Sequence, residues 1–312
     1  MKSKQISHSF LLLLTALIWG IAFVAQSTGG KEVGPYTFNC IRSIIGSLFL
    51  IPVIIVLDKT GHSKRKPVTP ADWRTLLIGG TCCGIALCFA SNVQQLGLYF
   101  GATAGKAGFL TACYILLVPI LGIFLKKKCG INVWIGVLIA LAGLYLLCID
   151  GSFYFSFADI LLLLCALIFS FHIMVVDHFS PLVDGVRMSC IQFLVCGIIT
   201  AIPMFIVDMK HSVAGIIEWF PSLLSSDAWI PILYAGIMSC GVAYTLQIVG
   251  QEGINPTIAS LLMSFESVFS VIAGWIILGE KMNSRQLTGC VLIFVAVLLA
   301  QIPLNELYVR RK

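Results

Sequence analysis

Charge is what this sequence has least of. Only 11% of its 312 residues are Asp, Glu, Lys or Arg, where a soluble domain carries about 25%. With 59% apolar residues and a mean hydropathy of +1.00, the chain has too few charges to clothe a soluble surface of its size. Chemical signatures are missing as well. There is no HExxH, no GxSxG, and no CxxC among 12 cysteines, so no metal site, no catalytic residues and no disulfide framework are expected, and no cofactor. Nearly all the cysteines lie inside apolar stretches, as small buried hydrophobes do. Gly101-Ala-Thr-Ala-Gly105-Lys106-Ala107 imitates a phosphate loop, but its spacing is one short and its hydroxyl is absent, which argues against an ATP-driven pump. No stretch alternates polar and apolar over about ten residues, which excludes a β-barrel. The net charge of +6 arises from short basic clusters between apolar runs, with no continuous basic face for nucleic acid.

What is present is a series of long apolar runs. A spanning helix needs about 20 mostly apolar residues, and ten stretches qualify: 8–28, 35–57, 75–98, 102–125, 131–149, 157–177, 184–207, 227–249, 254–279 and 286–304. The first begins with Lys2 and Lys4 in the manner of a signal peptide, yet it has no convincing cleavage site and nine runs follow, so it is expected to be a retained helix. The expected fold is an all-α polytopic membrane protein of ten transmembrane helices. Lys and Arg crowd one set of connections (Lys2, Lys4, Lys59, Lys64, Arg65, Lys66, Arg74, Lys126, Lys127, Lys128, Arg187 and the Arg310-Arg311-Lys312 end). The other set holds Lys31, Lys210, Lys281 and Arg285. The positive-inside rule then puts both termini in the cytoplasm.

The chain also repeats itself. Ala16-Leu-Ile-Trp19-Gly20 recurs as Ala166-Leu-Ile-Phe169-Ser170 and Cys40-Ile-Arg42 as Cys190-Ile-Gln192, both 150 residues on. Ala90, Gln94 and Gly97 recur as Ala243, Gln247 and Gly250, and Gly136 as Gly289, now 153 residues on. The expected organisation is two homologous five-helix halves, 8–149 and 157–304, followed by a basic tail, 305–312. Five is odd, so the second half enters the membrane from the opposite side. Such inverted repeats are the architecture of many secondary transporters, because two like halves of opposite orientation can exchange conformations around one central site.

The same residues carry a resemblance. Ala16-Leu-Ile-Trp19-Gly20, the stretch Pro35 to Arg42, and Thr103-Ala-Gly-Lys106-Ala-Gly-Phe-Leu-Thr with Val118-Pro119 look like the first half of an EamA protein. Phe169-Ser-Phe-His172, Asp177, Gln192-Phe193 and the run from Ser264-Phe-Glu266 to Gly279-Glu280 look like the second. Over 8–304 the chain resembles the EamA family of the drug/metabolite transporter superfamily. The resemblance implies a metabolite carrier in a bacterial plasma membrane, commonly an exporter of amino acids or related compounds. The basic Leu125-Lys126-Lys127-Lys128 departs from the acidic turn Leu278-Gly279-Glu280-Lys281 in the other half.

Ionisable residues inside spans are the site candidates, because a charge at the bilayer centre costs about 2.5–3.5 kcal/mol on insertion scales. Glu266, the deepest, fits a proton acceptor, a ligand for a cationic group, or a structural partner for neighbouring hydroxyls or Arg42. Arg42 fits a bidentate carboxylate ligand or, as the resemblance favours, a structural anchor at the end of the second span. Lys106 fits a snorkelling interfacial cation, an outer gate or a carboxylate contact. Their repeat counterparts are Cys113, Gln192 and Ala259, so no charge is duplicated. His172 in the sixth span can titrate near neutrality or simply hydrogen-bond. Asn92, Gln94 and Gln95 close the third span, and Gln247 mirrors Gln94; such amides line a site or bridge helices. Trp19 and Tyr114 lie within spans rather than at an interface, where they line a cavity or pack. The expected substrate contacts are therefore Glu266, Lys106, His172, Tyr114, Trp19, Asn92, Gln95 and Gln247, with Arg42, Gln192 and Gln94 structural or gating. Gly80xxxGly84, Gly136xxxAla140 and Ser260xxxSer264 permit close helix packing, and the long connection from Lys210 to Asp227 is expected to lie amphipathically in the interface. The expected partners are a small-molecule substrate, the lipid bilayer and protons as coupling ion, in a monomer or homodimer; the rival functions are a passive channel and a membrane-embedded enzyme acting on lipid.

Overall fold

The computed structural model describes residues 2–127, 130–148, 156–278 and 283–301. Lys128, the Gly279-Glu280-Lys281 turn, the junction around residue 150 and the 305–312 tail fall outside the described residues.

All described secondary structure is helical. In chain order the helices are α1 (Lys2–Val33), α2 (Pro35–Lys59), α3 (Pro70–Tyr99), α4 (Ala104–Phe124), α5 (Ile131–Cys148), α6 (Phe157–Phe179), α7 (Gly185–Asp208), the short α8 (Val213–Leu224), α9 (Ser226–Gln251), α10 (Pro256–Met263 with Phe265–Leu278) and α11 (Ser284–Gln301). Eight of them, all but α5, α8 and α11, are long and apolar enough to cross a membrane. Their outward faces carry exposed Ile55, Phe89, Phe171, Ile198 and Ile276, a density of exposed large hydrophobes that only a lipid environment stabilises. The chain is a multi-pass membrane protein.

Local sequence sets the helix starts. Proline occupies the first turn of α2, α3 and α10, where its missing N–H goes unused. Thr69 and Asp72 cap α3 reciprocally, as Ser156 and Asp159 cap α6. Thr103 Oγ1 accepts the Lys106 amide at α4, and Asp184 accepts the Arg187 amide at α7.

Small residues then decide which helices meet. α2 packs on α7, α3 on both α6 and α7, α1 on α9 and α10, α4 on α6, and α5 on α11. A Cβ at Gly80 would lie 2.6 Å from Ile191 and one at Gly84 2.7 Å from the Gln192 carbonyl, so α3 and α7 touch backbone to side chain. Gly136 and Gly143 do the same for α5 and α11, facing the carbonyls of Ala296 and Gly289. At Gly20 a Cβ would fall 2.4 Å from Phe269 Cβ, which brings α1 hard against α10 beside the central site.

Candidate functional site

Seven long helices converge on one small cavity. α1 presents Trp19, Phe23 and Gln26, spaced four and three apart and so on one face. Arg42 comes from α2, Gln94 from α3, Thr111 and Tyr114 from α4, Phe169 from α6, Ser239 and Tyr244 from α9, and Glu266 from α10. The cavity volume is about 20 Å³, room for one water and no metabolite.

Three of these helices are irregular where they meet the cavity. α4 is interrupted at Cys113, between Thr111 and Tyr114, and α10 at Ser264, two residues before Glu266. The two interruptions share a backbone conformation, φ −60° and ψ −10° at Cys113 against φ −61° and ψ −14° at Ser264. In α9 the residues Tyr234–Ala243 form a π-helix, whose wider turn aligns positions five apart, here Ser239 and Tyr244.

The lining is polar and underpaired. Glu266 and Arg42 are 3% and 4% exposed, and neither makes an ion pair among the described residues. Glu266 Oε1, Tyr114 Oη, Trp19 Nε1, Gln26 Oε1 and Arg42 Nε are buried without a hydrogen-bond partner among the described residues. Orphaned buried polar atoms are destabilising, by roughly 1–3 kcal/mol each, so their concentration around one cavity marks a place built to receive polar groups. The aromatic wall is continuous: Trp19 packs at a tilt against Tyr244 with centroids 4.6 Å apart, and Phe193 and His172 meet the same ring at 5.2 and 6.0 Å. Gln94 Nε2 donates to Thr111 Oγ1 at 3.2 Å, which ties α3 to α4 across the site.

The sequence candidates divide accordingly. Glu266, Tyr114, Trp19, Arg42 and Gln94 are brought together in the cavity. Arg42, expected as a carboxylate ligand or an anchor, lines the cavity, its guanidinium also 5.5 Å from the Phe38 ring centroid. The others lie behind the wall or away from it. His172 is fully buried, with Nε2 hydrogen-bonded to Gln192 Oε1 at 3.2 Å. Asn92 bridges α2, α3 and α7, accepting from Asn39 at 3.0 Å and donating to Thr200 at 2.9 Å. Gln95 donates to the Gln26 carbonyl across the α1–α3 crossing at 3.0 Å, and Gln247 is buried with its Oε1 unpartnered among the described residues. Lys106 pairs with Asp159 of α6 at 2.8 Å, near the α4 N-terminus. Phe23, Gln26, Thr111, Phe169, Ser239 and Tyr244 join the site without having been expected there. One signal was available: Phe169 is the repeat counterpart of Trp19.

Comparison with known proteins agrees with this architecture. The EamA-like transporter family model matches the chain twice, over residues 7–149 and 156–301. An uncharacterized transporter of Archaeoglobus fulgidus is 27% identical over 303 residues, covering 96% of this chain and 87% of that protein. The uncharacterized transporter YoaV of Bacillus subtilis is 23% identical, covering 90% and 92%. A solved crystal structure superposes with a TM-score of 0.74 at 18% identity, over 96% of this chain and 98% of that one, a shared fold. The chain belongs to the EamA-like transporter family, within the drug/metabolite transporter superfamily.

Proposed function

We propose that this protein is a secondary transporter that carries a small zwitterionic metabolite, an amino acid or a compound like one, through the central cavity by alternating access. In this reading α1–α5 and α6–α7 with α9–α11 are two inverted five-helix halves, α8 lies in the interface, both termini are cytoplasmic, and the direction is export across a plasma membrane. Several features support the inversion. The family model matches twice, α4 and α10 are each interrupted in mid-helix within two residues of one another in the repeat register, and the packing pairs exchange between halves: α1 with α10 answers α6 with α4, and α1 with α9 answers α6 with α3.

The observation that carries the substrate class is the pairing of opposite charges without a mutual salt bridge. Arg42 offers a bidentate anion contact, Glu266 a cation contact, and the rings of Trp19, Tyr244 and Phe169 an apolar body between them. A free carboxylate–ammonium compound satisfies both charges at once, which repays the desolvation that each bears alone. A cavity that now admits one water must widen to take it, as a carrier's occluded site does when it opens to either side.

Uptake and counterflow in proteoliposomes, with a pooled panel of labelled amino acids and related metabolites, with and without a pH gradient, tests this. Saturable counterflow of zwitterions is expected, with Glu266→Gln lowering it at least tenfold. If the proton is the coupling ion, the response to the pH gradient vanishes in the same variant. Unchanged rate and pH profile in Glu266→Gln would remove the residue from the site, and a flux that never saturates would make the protein a channel.

A further inference from the structure

The end of the molecule that carries the α2–α3 connection is tied together by a set of ion pairs of its own. Residues 60–69 leave α2 and run across the ends of helices in the other half. Arg65 Nη2 meets Glu252 Oε1, at the end of α9, at 2.9 Å, and Arg65 Nη1 donates to the Ser180 carbonyl, after α6, at 3.3 Å. Beside it, Arg187 of α7 reaches Asp58 Oδ1 at 2.6 Å and Asp184 at 3.2 Å, while Lys66 takes the other oxygen of Asp58 at 2.9 Å. The Glu252 carbonyl in turn accepts from His8 Nδ1 of α1 at 2.8 Å. The segment therefore ties α2 and α3 to the ends of α6, α7 and α9.

It does so with polar clasps and little packing. Its side chains are mostly exposed, Val68 among them, and cavities of about 180 and 290 Å³ flank it. Arg65 sits at φ +54°, left-handed backbone that an arginine rarely adopts. A connection built to stay would fill those spaces with apolar side chains; one built to lift is held by pairs that break and re-form in water.

We propose that residues 60–69 are the gate of this end, a strap that lifts off α7 and α9 when the central cavity opens to this side, with Arg65–Glu252 as its latch and Arg187–Asp58 as its hinge-side clasp. The proposal rests on the transport reading, since a gate presupposes a path. Ser180 is its reporter: it lies under the strap, 3% exposed, it lines the 180 Å³ cavity, and its Oγ is without a partner among the described residues.

The test measures how fast a Ser180→Cys reporter in the detergent-solubilised full chain reacts with a sulfonated maleimide, against the unsubstituted chain as background. Adding Glu252→Gln or Arg65→Glu is expected to raise the rate about fivefold, the shift that loss of one half-exposed pair gives. The exchange Arg65→Glu with Glu252→Arg should restore it. Raised salt on the intact pair, which needs no second substitution, should speed labelling in the same direction. Labelling indifferent to the variants, the exchange and salt overturns the strap, whatever the protein transports. Labelling that responds while no compound shows counterflow leaves the strap standing and removes the transport reading instead.

Discussion

At the scale of single residues, the cavity separates groups that hold the protein together from groups left free for a ligand. Tyr114 Oη has no close hydrogen-bond partner among the described residues and interacts with the Glu266 carboxyl of the site itself, so Tyr114→Phe should leave the melting temperature in detergent little changed while weakening substrate affinity in counterflow. Asn92 is the opposite case. It joins Asn39, Thr200 and Cys88, and Asn92→Leu strands buried partners at a cost of about 1–3 kcal/mol; thermal unfolding should drop by several degrees. A Tyr114→Phe variant that melts as early as Asn92→Leu would show that the hydroxyl is structural. The sequence made Glu266 and Arg42 conspicuous because a charge inside an apolar span is expensive wherever its side chain points. It hid Gln26, Thr111, Ser239 and Tyr244, whose types are common on every helix face and whose role comes only from which helix lies opposite. The Lys106–Asp159 pair stayed hidden for the same reason, since the two residues lie 53 apart on different helices.

At the scale of helices, apolar length was legible because hydropathy adds along the chain, whereas the irregular turns were not. Nothing in Tyr234–Ala243 announces a π-helix; the widened turn packs against α1 and α2. Pairing is set by a few close approaches, and these carry a direct prediction. Gly84→Leu has no room, since even its Cβ would lie 2.7 Å from both the Gln192 carbonyl and Val195. The α3–α7 contact must open, and overpacking of this kind costs about 1–3 kcal/mol or more; the protein should elute in an aggregated peak on size exclusion or melt several degrees early. Gly105→Ala is the matched control, because its Cβ meets only Val271 Cγ2 at 3.7 Å, ordinary contact, and should behave as the parent. Equal behaviour of the two variants would show that α3 and α7 are not pressed together at that point.

At the scale of the whole molecule the question is one of parity. α5 and α11 are the shortest of the long apolar helices and pack on each other as a pair; at about 1.5 Å per residue an 18-residue helix is about 27 Å long, close to the hydrocarbon thickness of about 30 Å. The proposed inversion requires α5 to cross. Between Gly61 and Ser225 lie α3, α4, α5, α6 and α7, with α8 on the surface. If all five cross, the two positions are on opposite sides of the membrane; if α5 does not, they are on the same side. Gly61 and Ser225 both sit in connections rather than helices, and a Cβ at Gly61 meets nothing within 4 Å, although its φ of +71° makes any side chain there mildly strained. Cysteines placed singly at these positions, in intact cells, should therefore react differently with a membrane-impermeant thiol reagent: Ser225→Cys at once, Gly61→Cys only after permeabilisation. That outcome supports inward termini and two halves of five. Like behaviour of the two positions, both reacting at once or neither before permeabilisation, would reduce the first half to an even number of spans, and remove with it the exchange of conformations that alternating access in the proposed form depends on.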